Sequence, residues 1–311
     1  MKMSLIKTIK RKATTLLKRP KVIVPKFLHT KAARLIPDKM FIKLSYWSHF
    51  CKWINLDNPV TFNEKLQWLK LNHKKAKYCD YADKFTVRNY IKDVIGEQYL
   101  VPMIGVYDTV SDIEWDMLPD KYVLKCTHAS GRNIICSDKL ALDIENAKRK
   151  LKVWMKSNFF WHGREWVYKT IKPRIVAEQY LENPTCDELI DYKFMCFNGE
   201  PKCLFLCLDR QSNESLKVDF YDMEWNPMPF ERHYKRSGRQ IPRPKCFDEM
   251  AKLARKLSEG IPFVRVDFYE VNGQVYFGEL TFFPGNGMEE FTPEYYDELL
   301  GSWIALPVKD N

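Results

Sequence analysis

Apolar positions recur at helical spacing through the first third of the chain and in short alternating runs after it. Residues 1–58 read as helical, with Pro20, Pro25 and Pro37 as interruptions. Asn58-Pro59 marks a turn. Thr61 to Glu64, in TFNEKLQWLKLNH, then matches the S/T-x-x-E capping box, so a helix begins there. A further amphipathic helix is predicted over 80–96, closed by Gly96. Near residue 100 the pattern changes, and YLVPMIGVYD, KYVLKCTHAS and ICSD read as strands. Residues 143–158 return to helical spacing, with Leu151 and Trp154 on one side. RIVAEQYL, 174–181, is a strand running into a charged turn. Two hairpins complete the pattern, turned at Asn198-Gly199 and Asn272-Gly273, with a helix over 246–259 between them. No internal repeat and no low-complexity linker interrupts the series.

The chain has 311 residues, 45% of them hydrophobic, which suits one large domain or two modest ones with a sizeable core. Its net charge of +10 invites a nucleic-acid reading, but residues 1–37 hold eleven Lys/Arg and no acid. The remaining body therefore sums to −1, whereas a nucleic-acid-binding domain spreads its basic face over the fold. No nucleic-acid partner is expected. In SLIKTIKRKATTLLKR, Leu5, Ile6, Ile9, Ala13, Leu16 and Leu17 share a helical face, and Lys and Arg mostly fill the other. Such a helix suits peripheral contact of residues 1–20 with an anionic membrane surface, or packing on its own protein. No run of about 18 apolar residues predicts a membrane span. The nine cysteines are odd in number and lack C-x-x-C spacing, which favours reduced core residues in a cytoplasmic protein. Cys203 and Cys207 as metal ligands are the less favoured alternative.

VRVDFYEVNGQVYFGELTFFPGNG, residues 264–287, carries the sharpest chemistry. A hairpin turned at 272–273 brings Asp267 and Glu279 near each other on adjacent strands. Two carboxylates that close repel unless one is protonated or a cation lies between them. Mg²⁺, which prefers oxygen ligands and shares its shell with phosphate, suits that place. Arg265, two residues before Asp267, falls on the same face and suits a phosphate under transfer. A buried Arg–Asp–Glu salt bridge is the alternative reading of these residues. Lys125 in YVLKC and Lys193 in DYKF are lysines among apolar strand neighbours, costly unless paired. THASGRN, 127–133, follows Lys125 and could cradle phosphate through its backbone, or be an ordinary turn.

The order of these motifs resembles the ATP-grasp superfamily: strand lysine, Gly-containing loop, E-x-x-L, strand lysine, R-x-D, then E-x-x-x-x-P-G. TFNEKLQWL, YVLKCTHASGRNII, YKTIKPRIVAEQYL, DYKFMCFNGEP and the 264–287 hairpin look closely like its TupA-like branch, which is tied to teichuronopeptide and surface polysaccharide biosynthesis. The resemblance covers roughly residues 35–305. It implies an α+β ATP-grasp fold, two α+β lobes clasping ATP, with a helical N-terminal extension. The implied division is 1–58 basic extension, 59–120 N-terminal α/β region, 121–181 lid lobe and 182–311 catalytic lobe.

Carried over residue by residue, the resemblance implies ATP and Mg²⁺ as cofactors. Lys125 would contact the α/β-phosphates, and Ser130, Gly131 and Asn133 would belong to the loop over them. Glu178, Gln179, Tyr180 and Leu181 would form the adenine hinge, and Glu182 would reach the ribose. Arg265 and Lys193 would act at the transferring phosphate. Asp267 and Glu279 would hold Mg²⁺, with Thr281 at a position where the wider superfamily has Asn. His128, Arg210 and Asn286 are candidates for the acceptor pocket, and equally for packing. The implied activity is ATP-dependent carboxylate–amine ligation through an acyl phosphate. The partners would be a hexuronic-acid glycan, nucleotide sugar or lipid-linked acceptor and an amino acid or other amine. A glycosyltransferase of the same pathways is the alternative, weakened because no D-x-D occurs.

Overall fold

The computed structural model describes residues 20–182, 189–208 and 216–308. The basic segment before residue 20, with its expected membrane contact, and Arg210 lie outside them. Three helices open the described chain: α1 (Pro20–Leu28), α2 (Asp38–Phe50) and α3 (Phe62–Asn72). Pro25 lies inside α1 instead of interrupting it, and residues 51–58 are not helical. At the start of α3 the Thr61 hydroxyl accepts from the Glu64 N–H (3.2 Å) and the Glu64 carboxylate accepts from the Thr61 N–H (3.3 Å). That is the expected capping box.

The single helix expected over 80–96 is two, α4 (Lys77–Ala82) and α5 (Val87–Val94). The chain turns extended at Asp83 (ψ 117°), whose carboxylate accepts from the Phe85 N–H at 2.8 Å. Aspartate competes in this way for neighbouring backbone donors and breaks helices. The Lys84 N–H consequently leaves the helix and donates to the Thr127 carbonyl.

Two antiparallel sheets follow. The first has the order β1-β4-β2-β3, from β1 (Met103–Tyr107), β2 (Tyr122–Cys126), β3 (Asn133–Cys136) and β4 (Ile175–Gln179). Helix α5 is followed in the chain by α6 (Ile144–Met155), whose Ala147 and Leu151 share a core with Tyr122, Leu124, Ile175 and Ala177 of this sheet. β1 falls in the stretch 59–120 of the sequence yet pairs with β4, so the sheet gathers strands from before residue 121 as well.

The second sheet has the order β10-β9-β5-β6-β7, from β5 (Asp191–Phe197), β6 (Glu200–Leu208), β7 (Lys217–Asp222), β9 (Phe263–Val271) and β10 (Gln274–Thr281). β5 is buried along its whole length. Its even residues meet the helix over Phe247–Ser258: Phe194 packs on Phe247, and the Cys196 thiol faces the Ala254 carbonyl. Its odd residues, Asp191, Lys193 and Met195, therefore face the other way. A two-stranded sheet pairs β8 (Glu231–Arg232) with β11 (Phe291–Thr292). Among the described residues no helix is long and apolar enough to cross a membrane, and no cysteine is in a disulfide. Cys203 and Cys207 are buried, and no group of three His, Cys, Asp or Glu side chains there could hold a metal.

Candidate active site

Strand register builds the site. Asn272 and Gly273 both take positive φ (52° and 77°), and from this turn β10 pairs with β9 step by step as far as Phe277 opposite Phe268. An unbroken ladder would set Gly278 opposite Asp267 and turn Glu279 to the helix side. A bulge at Gly278 adds one residue instead, so Glu279 falls opposite Asp267 and Thr281 opposite Arg265. A Cβ at position 278 would lie 3.1 Å from the Asp267 carbonyl oxygen and 3.2 Å from the Tyr269 ring, so glycine fits the close approach. The row across the five strands then reads Glu279, Asp267, Lys193, Phe205, Phe220.

Arg265 ties this row together. Its Nε and Nη2 donate to the two oxygens of Asp267, each at 2.7 Å, and Nη2 also donates to Glu279 Oε1 at 2.8 Å. Lys193 bridges Asp191 (2.6 Å) and Asp267. The Thr281 hydroxyl donates to Glu279 Oε1 (3.1 Å), and Lys84 Nζ lies 3.5 Å from Oε2. Burial opposes the charge on Glu279, but Lys84, Arg265, Lys193 and the Thr281 hydroxyl outweigh it and hold the carboxyl well below the usual range. The cations that part-neutralise both carboxylates are thus the protein's own, Arg265 foremost with Lys193 beside it, as in the salt-bridge reading, yet the network is not closed off. It opens on a cleft.

That cleft has a volume of about 340 Å³ and takes side chains from both sheets. Lys125 and Asn133 reach it from facing positions on β2 and β3. Ser130 and Gly131 reach it from the loop between those strands, where Gly131 takes φ 68°. The Cys126 N–H to Arg132 carbonyl bond (3.0 Å) closes the loop, and Lys84 Nζ donates to the Ala129 carbonyl (2.9 Å). Lys193, Arg265, Asp267 and Glu279 line the opposite wall.

Other expected residues lie elsewhere. Glu178 is buried and paired with Lys125 (2.6 Å) and Arg88 (3.4 Å), so its carboxylate faces cations, where the hinge expectation had it reading an adenine edge. Gln179, Tyr180, Leu181 and Glu182 continue past it outside the cleft lining; the Gln179 N–H is bonded to the Pro102 carbonyl, and Glu182 pairs with Lys121. Thr281 braces Glu279 from outside the lining. His128 is a packing residue: it is buried, and its Nε2 donates to the Trp154 carbonyl (3.1 Å). Asn286 is occupied too, its side-chain and backbone oxygens accepting from the buried Lys70 at 2.6 and 3.0 Å.

Sequence reading missed Lys84, Asp191, Arg232 and Glu289, which all line the cleft. Asp191 had a signal, a D-x-K spacing that puts it on the face of Lys193. Arg232 had none. It sits on a two-residue strand, buried, with Nη2 bonded to Glu289 (2.9 Å) and to the Pro284 carbonyl (3.0 Å).

The oxygen donors suit a hard divalent cation unequally. Glu279 keeps 28% of its side chain exposed, whereas Asp267 is 1% exposed with both oxygens held by Arg265. Glu279 is therefore the more accessible donor for such a cation, and Asp267 is the more occupied one.

The sequence model described as "TupA-like ATPgrasp" matches residues 64–305. The chain belongs to the TupA-like ATP-grasp family. The match contains every residue of the cleft, from Lys84 to Glu289, and the mixed helices and antiparallel sheets around it form an α+β ATP-grasp fold. Solved structures similar to this TupA-like chain include D-alanine–D-alanine ligase from Bacillus anthracis complexed with ATP (13% identity, 70% of this chain and 56% of that chain, TM-score 0.36). Another is the ATP-grasp ligase PsnB with a phosphomimetic precursor variant, Mg and ADP (8%, 70% and 57%, TM-score 0.38). A third is D-alanine–D-alanine ligase from Helicobacter pylori (11%, 78% and 69%, TM-score 0.41). The chain spans little more than half the length of the first two. No curated protein sequence matches it.

Proposed function

We propose that the protein is an ATP-dependent carboxylate–amine ligase, acting in bacterial surface polysaccharide assembly on the cytoplasmic side. The observation that carries the reading is the convergence of Lys84, Lys125, Lys193 and Arg265 with Asp267 and Glu279 on one cleft lined from both larger sheets. Such a cleft suits a polyanion held between cations and a metal, where positioning and charge neutralisation supply most of the catalysis. Family membership supports ATP as the polyanion.

In this reading Lys125 and Lys84 hold the phosphate chain from the side of β2 and its loop. Arg265 and Lys193 steady the transferring phosphate. Glu279, joined by Asp267, would hold Mg²⁺, which when bound neutralises phosphate charge. A substrate carboxylate oxygen attacks the γ-phosphorus, the bond to ADP breaks, and an acyl phosphate forms. An amine nitrogen then attacks the acyl carbon, phosphate leaves, and the nitrogen gives up its proton. The TupA-like assignment supports a sugar-acid or amino-acid carboxylate and an amino acid or other amine as the pair.

The test is ADP release from ATP and Mg²⁺ across a matrix of uronic-acid donors and amines. One pair should trigger release with matching amide formation, and Glu279→Gln should abolish it. UDP release from UDP-sugars with no ADP from ATP would overturn the ligase reading in favour of a glycosyltransferase.

A further inference from the structure

A second cavity, of about 260 Å³, lies away from the cleft, where the chain around α1 and α2 meets residues 157–164. The ionisable side chains that line it are His29, Arg34, His162 and Arg164, and no Asp or Glu joins them. Arg164 is the buried one of these four. This residue is 3% exposed, and its guanidinium lies among the rings of Phe41 (4.5 Å), Trp161 (4.6 Å) and Phe160 (5.3 Å). Nη2 donates to the carbonyls of Ala33 (2.9 Å) and Ile36 (3.3 Å), and Nη1 stands 3.5 Å from Asp38. Nε is buried with no partner. A buried donor on a charged group is costly to leave unmatched, and one half-exposed carboxylate at 3.5 Å compensates little.

The rim adds to the positive field. Arg34 stacks over Trp161 at 5.0 Å, and the rings of His29 and His162 stand 6.4 Å apart. Burial, Arg132 and His29 together lower the affinity of His162 for a proton. Cations so gathered repel one another and gain from a shared anion. Arginine's planar fork matches phosphate oxygens, and the imidazoles add donors when protonated.

We propose that this cavity binds a phosphate group, carried by a lipid headgroup or by a soluble phosphorylated molecule. The experiment follows the imidazole signals of His29 and His162 by NMR in the full chain, with a non-hydrolysable ATP analogue and Mg²⁺ present to occupy the catalytic cleft. Inorganic phosphate should shift both signals saturably. In the double variant His29→Gln/Arg34→Ala, read at His162, binding should weaken about tenfold or more, as expected for two lost charge-assisted contacts. Both residues are exposed, so folding should survive. Vesicles of phosphatidylglycerol and of phosphatidylcholine form the second arm. Anionic vesicles that shift the same signals, and do so less in the variant, identify a headgroup; a response to phosphate alone identifies a soluble ligand. No saturable shift with either probe, or equal shifts in the variant, overturns the proposal.

Discussion

Replacing Arg265 with Met removes the cation that touches both Asp267 and Glu279. Three charge-assisted hydrogen bonds disappear and two carboxylates are left facing each other. Breaking a buried ion pair from one side costs about 3–5 kcal/mol. Lys193 still serves Asp267 and Lys84 still approaches Glu279, which puts the expected loss near the low end, about 3 kcal/mol. Urea denaturation of the single and double variants measures it. If the loss comes from stranded charge, adding Asp267→Asn should return most of it, with a coupling of about 2 kcal/mol in the double-mutant cycle. Magnesium gives a second readout. In Arg265→Met the carboxylates lack their bridge, so Mg²⁺ without nucleotide should raise the denaturation midpoint, while the parent protein should respond little. Strictly additive losses together with a variant blind to Mg²⁺ would refute the reasoning.

The buried Glu165 carboxyl is raised to about 7 from the usual 4.5, by burial above all, against the pull of Lys70. A raised carboxyl contributes stability that is complete below pH 4.5 and lost as pH climbs through about 7. Glu165→Gln should therefore flatten stability across that window and gain on the parent above it, on the order of 1–3 kcal/mol; parallel pH profiles by thermal melts would contradict this. Thr61→Ala removes the N-cap of α3 and should cost about 1 kcal/mol in denaturant while leaving ATP binding unchanged by calorimetry. Gly278→Val forces a side chain against Asp267 and Tyr269, and should cost about 1–3 kcal/mol and depress ADP production more than Thr61→Ala does.

What the sequence disclosed and what it hid divide along the range of the interactions. The capping box and the two Asn-Gly turns are written in four or fewer neighbouring residues, and they appear as read. The strand-borne Lys125, Lys193, Arg265, Asp267 and Glu279 stand out because a charge among apolar neighbours demands a partner. Lys84 carries no such contrast. It sits in a polar stretch whose helical spacing conceals the break at Asp83, and only the contact with Thr127 and Ala129 reveals its role. Glu178 shows a related limit: its strand position was visible, but its pairing with the lysine on the neighbouring strand was not. His128 and Asn286 flank motif residues in the chain and are absorbed by Trp154 and Lys70, partners distant in sequence.

The cleft carries its own counter-ions: Asp191, Asp267 and Glu279 against Lys193, Arg265 and Lys84, and Glu178 against Lys125. A newcomer must trade places with these internal anions; there is no bare positive socket awaiting it. A lone phosphate spans too little of the cleft to meet the cations of both walls, and gains little from the exchange. A metal-laden chain of phosphates replaces several at once, so preference for long polyphosphates follows from this swapping alone, ahead of any contact with base or sugar.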